Sequence, residues 1–248
     1  MPDDNVSTLP EIRLDLVRKY NVPGPRYTSY PTAVQFNENV PPEALLAEAR
    51  RDLDNGDDIS VYVHLPFCES LCWYCACNTV ITTRHGQANT YLDYLEREIA
   101  LWKKQFPLRP QLGQLHFGGG TPTFLHPAEI DRLSAMLHEA FDFAEDAEVS
   151  VEIDPRRLTA EHVQAFRRLG ATRASLGVQD FDTTAQKAIH RIQTYEMTKD
   201  AMRWARECGY TSINFDLIYG LPHQTEETFS RTLDQVEQLS PDRWAVFS

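Results

Sequence analysis

Along residues 59–248 the hydrophobic and polar positions alternate between two rhythms. Short runs that are apolar or alternate with period two, at 59–65, 114–117, 148–153, 173–178, 212–219 and 243–247, predict six strands. Between them lie longer stretches with apolar residues at helical spacing and legible ends. These are 89–105; 127–141, with Pro127 in its first turn; a helix capped by Thr159 and followed by Gly170; a short one capped by Asp182; one with Thr194 as N-cap and Gly209 as C-cap; and 225–239, stopped by Ser240-Pro241. Strand and helix in regular alternation predict right-handed βαβ units and a parallel sheet. No G-x-G-x-x-G follows the first strand, as a dinucleotide-binding fold would want, so a partial TIM-like barrel of the α/β class is expected.

The first 57 residues follow neither rhythm. Helices are predicted at 9–20 and 41–55, the second opening on proline with Gly56 just past its end. Between them Asn-Val-Pro-Gly-Pro-Arg-Tyr-Thr-Ser-Tyr-Pro-Thr carries three prolines and a glycine, which forbid regular structure. Its tyrosines and its one arginine suit contact with an acidic or aromatic ligand, or a strap packed over the barrel. Residues 1–57 are therefore expected to be an N-terminal extension and 58–248 the barrel core.

Composition narrows the class. A chain of 248 residues, 42% hydrophobic and 24% charged, matches one barrel-sized domain of about 200–250 residues. No apolar run approaches the roughly 18 residues of a membrane span. A net charge of −12 argues against non-specific nucleic-acid binding, which needs a basic face, and is expected to be spread over a solvated surface. The opening Met-Pro-Asp-Asp lacks the basic and then apolar pattern of a leader, so a reducing cytoplasm is the expected compartment.

The densest chemistry lies after the first strand. Four of the five cysteines, Cys68, Cys72, Cys75 and Cys77, stand at C-x3-C-x2-C-x-C. A disulfide framework fits a long chain with an odd cysteine total poorly. A zinc site would want a second pair of ligands downstream, and no further C-x2-C or H-x3-H occurs. An iron-sulfur cluster fits best: three thiolates would hold three irons of a [4Fe-4S] cluster and leave the fourth for a small-molecule chelate. Zinc and free thiols stay as alternatives.

The other strand ends are also polar or glycine-rich. They carry Gly118-Gly119-Gly120-Thr121-Pro122-Thr123, Glu152 with Asp154, Gln179 with Asp180, and Asp216 with Tyr219-Gly220-Leu221-Pro222. In parallel barrels chemistry gathers at the carboxyl ends of strands, so one shared site is expected there. His64 and His116, within strands, are expected to be satisfied interior residues rather than metal ligands. His85 is expected to face solvent, and Cys208 to be a small buried hydrophobe.

The C-x3-C-x2-C spacing, with Tyr74 before the third cysteine, resembles the radical S-adenosylmethionine (SAM) superfamily. The wider set is similar to the oxygen-independent coproporphyrinogen III oxidase family: Pro-Gly-Pro-Arg-Tyr-Thr-Ser-Tyr-Pro-Thr, Tyr-Val-His-Leu-Pro-Phe-Cys, Cys-Trp-Tyr-Cys-Ala-Cys-Asn, His-Phe-Gly-Gly-Gly-Thr-Pro-Thr, Glu-Ile-Asp-Pro, Gly-Val-Gln-Asp-Phe and Asp-Leu-Ile-Tyr-Gly-Leu-Pro. The resemblance implies cluster ligands Cys68, Cys72 and Cys75. It implies SAM contacts at Tyr62, Tyr74, Gly119, Gly120, Thr121, Glu152, Gln179, Arg191 and Asp216, and a second SAM beside the first. Arg26 and Tyr27 become candidates for substrate contact. Cys77 would be a non-ligand that separates the oxidase from haem chaperones, which carry an aromatic residue there.

The implied reaction converts two propionates of coproporphyrinogen III to vinyl groups, with loss of carbon dioxide, in porphyrin synthesis. Partners implied are the tetrapyrrole and a reduced flavodoxin- or ferredoxin-type donor, with the protein a monomer. A haem chaperone or haem-processing enzyme and a non-catalytic zinc module are the alternatives. The family continues past its sixth strand into a helical domain, so the chain is expected to be truncated, to turn over poorly alone and to bare a strand edge.

Overall fold

The structure, a computed structural model, describes residues 12–22, 32–106 and 109–248. The chain divides into two compact units, one up to Leu45 and the other Leu46–Ser248. Helix α1 (Leu14–Tyr20) belongs to the first, and α2 (Pro42–Asp54) runs across the division. The predicted start of α1 at residue 9, and the candidate substrate residues Arg26 and Tyr27, lie outside the described residues.

The larger unit runs β1 (Ile59–Leu65), β2 (Phe67–Cys68), β3 (Val80–Ile81), α3 (Gly86–Lys103), β4 (Gln111–Gly119), α4 (Pro127–Ala140), β5 (Asp142–Ile153), α5 (Ala160–Leu169), β6 (Arg173–Gln179), α6 (Thr183–Ala188), α7 (Tyr195–Glu207), β7 (Ser212–Ile218), α8 (Glu226–Leu239) and β8 (Arg243–Phe247). Six strands form one sheet in the order β1-β4-β5-β6-β7-β8, every neighbouring pair parallel. The order is that of the sequence. Right-handed crossovers that never reverse direction place all their helices on one face, which is the (β/α)6 half-barrel expected, not a doubly wound sheet.

Alternate residues along β1 and β4 to β7 meet the helices. Val63, Leu115, Phe117, Val151, Leu176 and Phe215 are all buried in one continuous core with Leu133, Phe166 and Ala205 of the helices. Burial of a side chain of this size stabilises the fold by about 1.5–3 kcal/mol. The helix ends follow their local chemistry. Asp182 accepts from the backbone N–H groups of Thr184 and Ala185, Thr194 from Met197 and Thr225 from Thr228, while Gly170 leaves α5 at φ +123°.

Some boundaries differ from expectation. β4 extends to Gly119 because the glycines keep sheet register, Gly118 opposite His64 and Gly119 opposite Leu65. β5 begins at Asp142, six residues early: Asp142 and Phe143 pair with Gln111 and Leu112 of β4, and the register then shifts before Glu148 meets Gln114, an irregular polar stretch that hydropathy does not report. α3 starts at Gly86 rather than Asn89. Cys208 is the C-cap of α7, with Gly209 following at φ +83°.

Candidate active site

β1 delivers the chain to the carboxyl end of the sheet, where the cysteine loop is laced shut. β2 pairs with β3 in parallel, Val80 N–H donates to Pro66 O at 2.7 Å, and Thr82 N–H to Cys68 O at 2.9 Å. The glycine turn after β4 is stitched to this loop, Gly120 N–H reaching Leu65 O and Thr121 N–H reaching Phe67 O, both at 2.8 Å. A side chain at Gly120 would place its Cβ 2.5 Å from Phe67 O, so only glycine permits this approach. Gly119 stands at φ +111°, and a Cβ there would fall 2.7 Å from the His64 ring. The outer flank is held by the turn that ends α6: Trp73 N–H donates to Ile189 O at 3.0 Å, and the Trp73 ring stacks on His190 at 5.5 Å.

Inside the loop lies a cavity of about 220 Å³. Cys68, Cys72, Cys75 and Cys77 all line it, none of them in a disulfide. Facing them are Gly119 and Gly120, Glu152 from β5 and Asp154 just past its end, Gln179 from β6, Arg191 after α6, and Asp216 from β7, with Tyr74 beside the sulfurs. The sheet thus brings together ten of the expected cluster and cofactor residues. Two do not line the cavity. Thr121 is buried with its hydroxyl on Thr123 at 3.0 Å, and Tyr62 stacks on the His116 ring at 5.7 Å and hydrogen-bonds His64 at 3.0 Å.

The electrostatics have two poles. Asp154 is the anionic centre. Its burial would push the carboxyl up, but the Arg191 and Arg156 guanidiniums more than reverse this and hold it below the ordinary carboxylate range. Burial pushes Asp216 up, opposed by hydrogen bonds from Ser175 and Asn214. The sulfurs resist ionisation: burial, then Asp154 and the neighbouring thiols, push Cys68 up to about 12, and burial with Cys75 pushes Cys77 up to about 11. Thiolates crowded in this way need a cationic centre among them.

Among the described residues no three His, Cys, Asp or Glu side chains converge as ligands of a single ion. The donor set, four soft sulfurs lining one cavity, suits a multi-iron group.

Other expectations are corrected. His85 does not face solvent: its Nε2 lies 2.7 Å from Glu129 and its ring stacks on Phe124 and His126. Cys208 is half-buried against the core's edge rather than enclosed. His64 and His116 are satisfied, on Asn78 O and on Ser150 and Glu152 respectively, yet both sit half-buried on the sheet's open face. The residue missed was Arg156, which lines the cavity. Its signal was the Asp-Pro-Arg turn at a strand end, where a capping aspartate folds the next arginine back on itself.

A half-barrel with a cysteine loop at the carboxyl end of β1 and polar groups on the next four strand ends defines a class: cofactor-dependent enzymes that bind an iron-sulfur group at the mouth of a parallel barrel. The radical SAM superfamily profile matches residues 62–236, and the chain belongs to that superfamily. It is 49% identical over 233 residues to an oxygen-independent coproporphyrinogen III oxidase from Helicobacter pylori, and 48% identical over 236 residues to one from Pseudomonas aeruginosa, covering 93% and 94% of this chain. The solved coproporphyrinogen III oxidase of Escherichia coli, described as a radical SAM enzyme, superposes with a TM-score of 0.86 at 44% identity over 96% of this chain. The chain spans about half the length of these relatives, 51% of each curated protein and 52% of the solved one.

Proposed function

We infer that this chain provides the cluster- and SAM-binding barrel of an oxygen-independent coproporphyrinogen III oxidase, acting on the tetrapyrrole in porphyrin synthesis. One observation carries the reading: three cysteines at C-x3-C-x2-C line the same cavity as Gly119, Gly120, Glu152, Gln179, Arg191 and Asp216.

Cys68, Cys72 and Cys75 would hold a [4Fe-4S] cluster. When bound, cluster and SAM supply the electron and the carbon radical that removes a hydrogen atom from an unactivated C–H bond, chemistry no side chain provides. The protein's part is placement. Gly119 and Gly120 offer main-chain groups without steric cover, Asp216 and Glu152 offer acceptors for ribose hydroxyls or an ammonium, and Tyr74 offers a face for the adenine. Arg191 is suited to a carboxylate, the role Asp154 takes in the structure at 3.0 Å. The open polar face below, bearing Tyr62, His64, His116 and Ser175, leads from this cavity along the sheet and provides the substrate's side of the reaction.

A second SAM beside the first, Arg26 and Tyr27 on the substrate, a flavodoxin- or ferredoxin-type donor, a monomeric state and a cytoplasmic setting complete the proposal. No helix among the described residues is long and apolar enough to cross a membrane.

The test is anaerobic incubation of the reconstituted protein with SAM, a strong reductant and coproporphyrinogen III. The reading requires methionine and 5'-deoxyadenosine; carbon dioxide and a vinyl-bearing product would show in addition that this barrel completes the reaction alone. Tight haem binding without carbon dioxide release would instead place the chain among haem-handling relatives.

A further inference from the structure

One sulfur of the cysteine loop is set apart. Cys72, only 7% exposed, faces two guanidiniums: Arg156 Nη2 at 3.3 Å and Arg191 Nη1 at 3.5 Å both donate to its Sγ. Arg191 belongs to the set that resemblance assigns to SAM. Arg156 does not.

Arg156 is fixed on three sides. Its Nε lies 3.0 Å from each oxygen of Asp154 and its Nη2 2.6 Å from Asp154 Oδ2, while Nη1 reaches Ser70 Oγ at 3.3 Å. The aspartate is held in turn, since its Oδ1 accepts the backbone N–H of Arg156 at 3.0 Å and its Oδ2 the Arg191 Nη1, also at 3.0 Å. Two guanidiniums share one carboxylate, so a net positive charge is left pointing at Cys72. A guanidinium stays charged at any working pH and binds through a rigid fork, so the donor reaches the sulfur without reorganising.

Hydrogen bonds to cluster sulfurs are among the factors that set an iron-sulfur potential, and a fixed cation favours the form with the extra electron. On the cluster reading above, we propose that Arg156, clamped by Asp154, is a positioning residue that tunes the bound cluster: its N–H draws charge from the Cys72 thiolate and raises the potential at which the cluster takes up its electron. A purely structural role would hold the turn after β5 and leave the potential unmoved.

The experiment compares reconstituted wild type with Arg156→Met and Arg156→Lys, each checked for iron, sulfide and thermal melting. The cluster is then titrated potentiometrically under EPR without SAM. Arg156→Met is expected to keep its iron and sulfide and to show a roughly tenfold lower reduced-to-oxidised ratio at the wild-type midpoint, equivalent to a shift of about 59 mV for one electron. Arg156→Lys keeps the charge but loses the fork; it is expected to fall between, and provides the measurement should the methionine variant not fold. Loaded variants with unchanged midpoints would overturn the proposal, as would loss of iron from both, which would make Arg156 scaffold only. Wild type that takes up no iron and sulfide would instead overturn the cluster reading itself, with the proposal falling for that separate reason.

Discussion

The two faces of the six-stranded sheet are built from alternating residues of the same strands, and they obey opposite rules. Under the helices Val63, Leu115, Val151, Leu176 and Phe215 are at most 4% exposed and make one apolar core. On the other face the neighbours of those residues form a polar ladder: Tyr62 stacks on His116, His116 bonds Ser150 at 2.7 Å and Glu152 at 3.2 Å, and Ser175 donates to Asp216 at 2.9 Å. The period of two thus separates stability from chemistry within each of these strands. A slip of one residue would exchange the two faces, so the apolar face also fixes which groups the cavity receives.

This contrast can be broken from either side, and the largest effect belongs to the apolar face. Phe166, fully buried and 5.5 Å from the Phe117 ring, should cost about 3–5 kcal/mol as Phe166→Ala, read by urea denaturation, without altering any group that lines the cavity. A variant that kept its stability would show that the core is not where the fold is held.

Next comes Asp154→Asn, which leaves two guanidiniums without their counter-charge and should cost about 2 kcal/mol at neutral pH. The sign of its pH dependence follows from the depressed carboxyl. Because the folded protein holds Asp154 below its unfolded value, its contribution is present above the ordinary carboxylate range and is lost as pH falls through the folded value. The gap between wild type and Asp154→Asn should therefore close in acid, and a gap that widened there would contradict the pairing.

Gly119→Ala should follow at about 1–3 kcal/mol, because alanine is strained at φ +111° and meets the His64 ring. Combining it with His64→Ala should recover the clash portion only, which a double-mutant cycle measures.

The smallest effect on stability is expected at Asp216. Its raised folded-state carboxyl opposes folding when ionised, and that opposition is relieved as pH falls through the folded value. Asp216→Asn should change stability at neutral pH by no more than about 1 kcal/mol, toward greater stability if at all, while weakening SAM binding measured by calorimetry. Marked destabilisation would show that the polar face carries the fold as well.

The same contrast explains what the sequence made legible. Strand β1, helix α8 and the order of the sheet follow from hydrophobic period and caps, because burial of one face writes itself into every second residue. The first half of β5 does not, since Asp142, Glu145 and Asp146 stay exposed and the register on β4 breaks between Phe143 and Glu148, leaving no alternation to read. Within the site, residues at strand ends could be placed from sequence because topology brings those ends together. Arg156 and the stacking of His85 depend on how a turn folds back on itself, and Tyr62 faces along the sheet instead of up into the cavity, a distinction of a single side-chain direction that spacing does not encode.

The most direct measurement is iron and acid-labile sulfide content after anaerobic reconstitution, with SAM binding measured on the same sample, for wild type and for Cys68→Ala, Cys72→Ala and Cys75→Ala. The account predicts a brown protein with four irons and four sulfides per chain that binds SAM, both properties lost in each of the three variants and the cluster kept in Cys77→Ser. A colourless protein holding one zinc, or a cluster that survives loss of Cys72 and vanishes with Cys77, would contradict it.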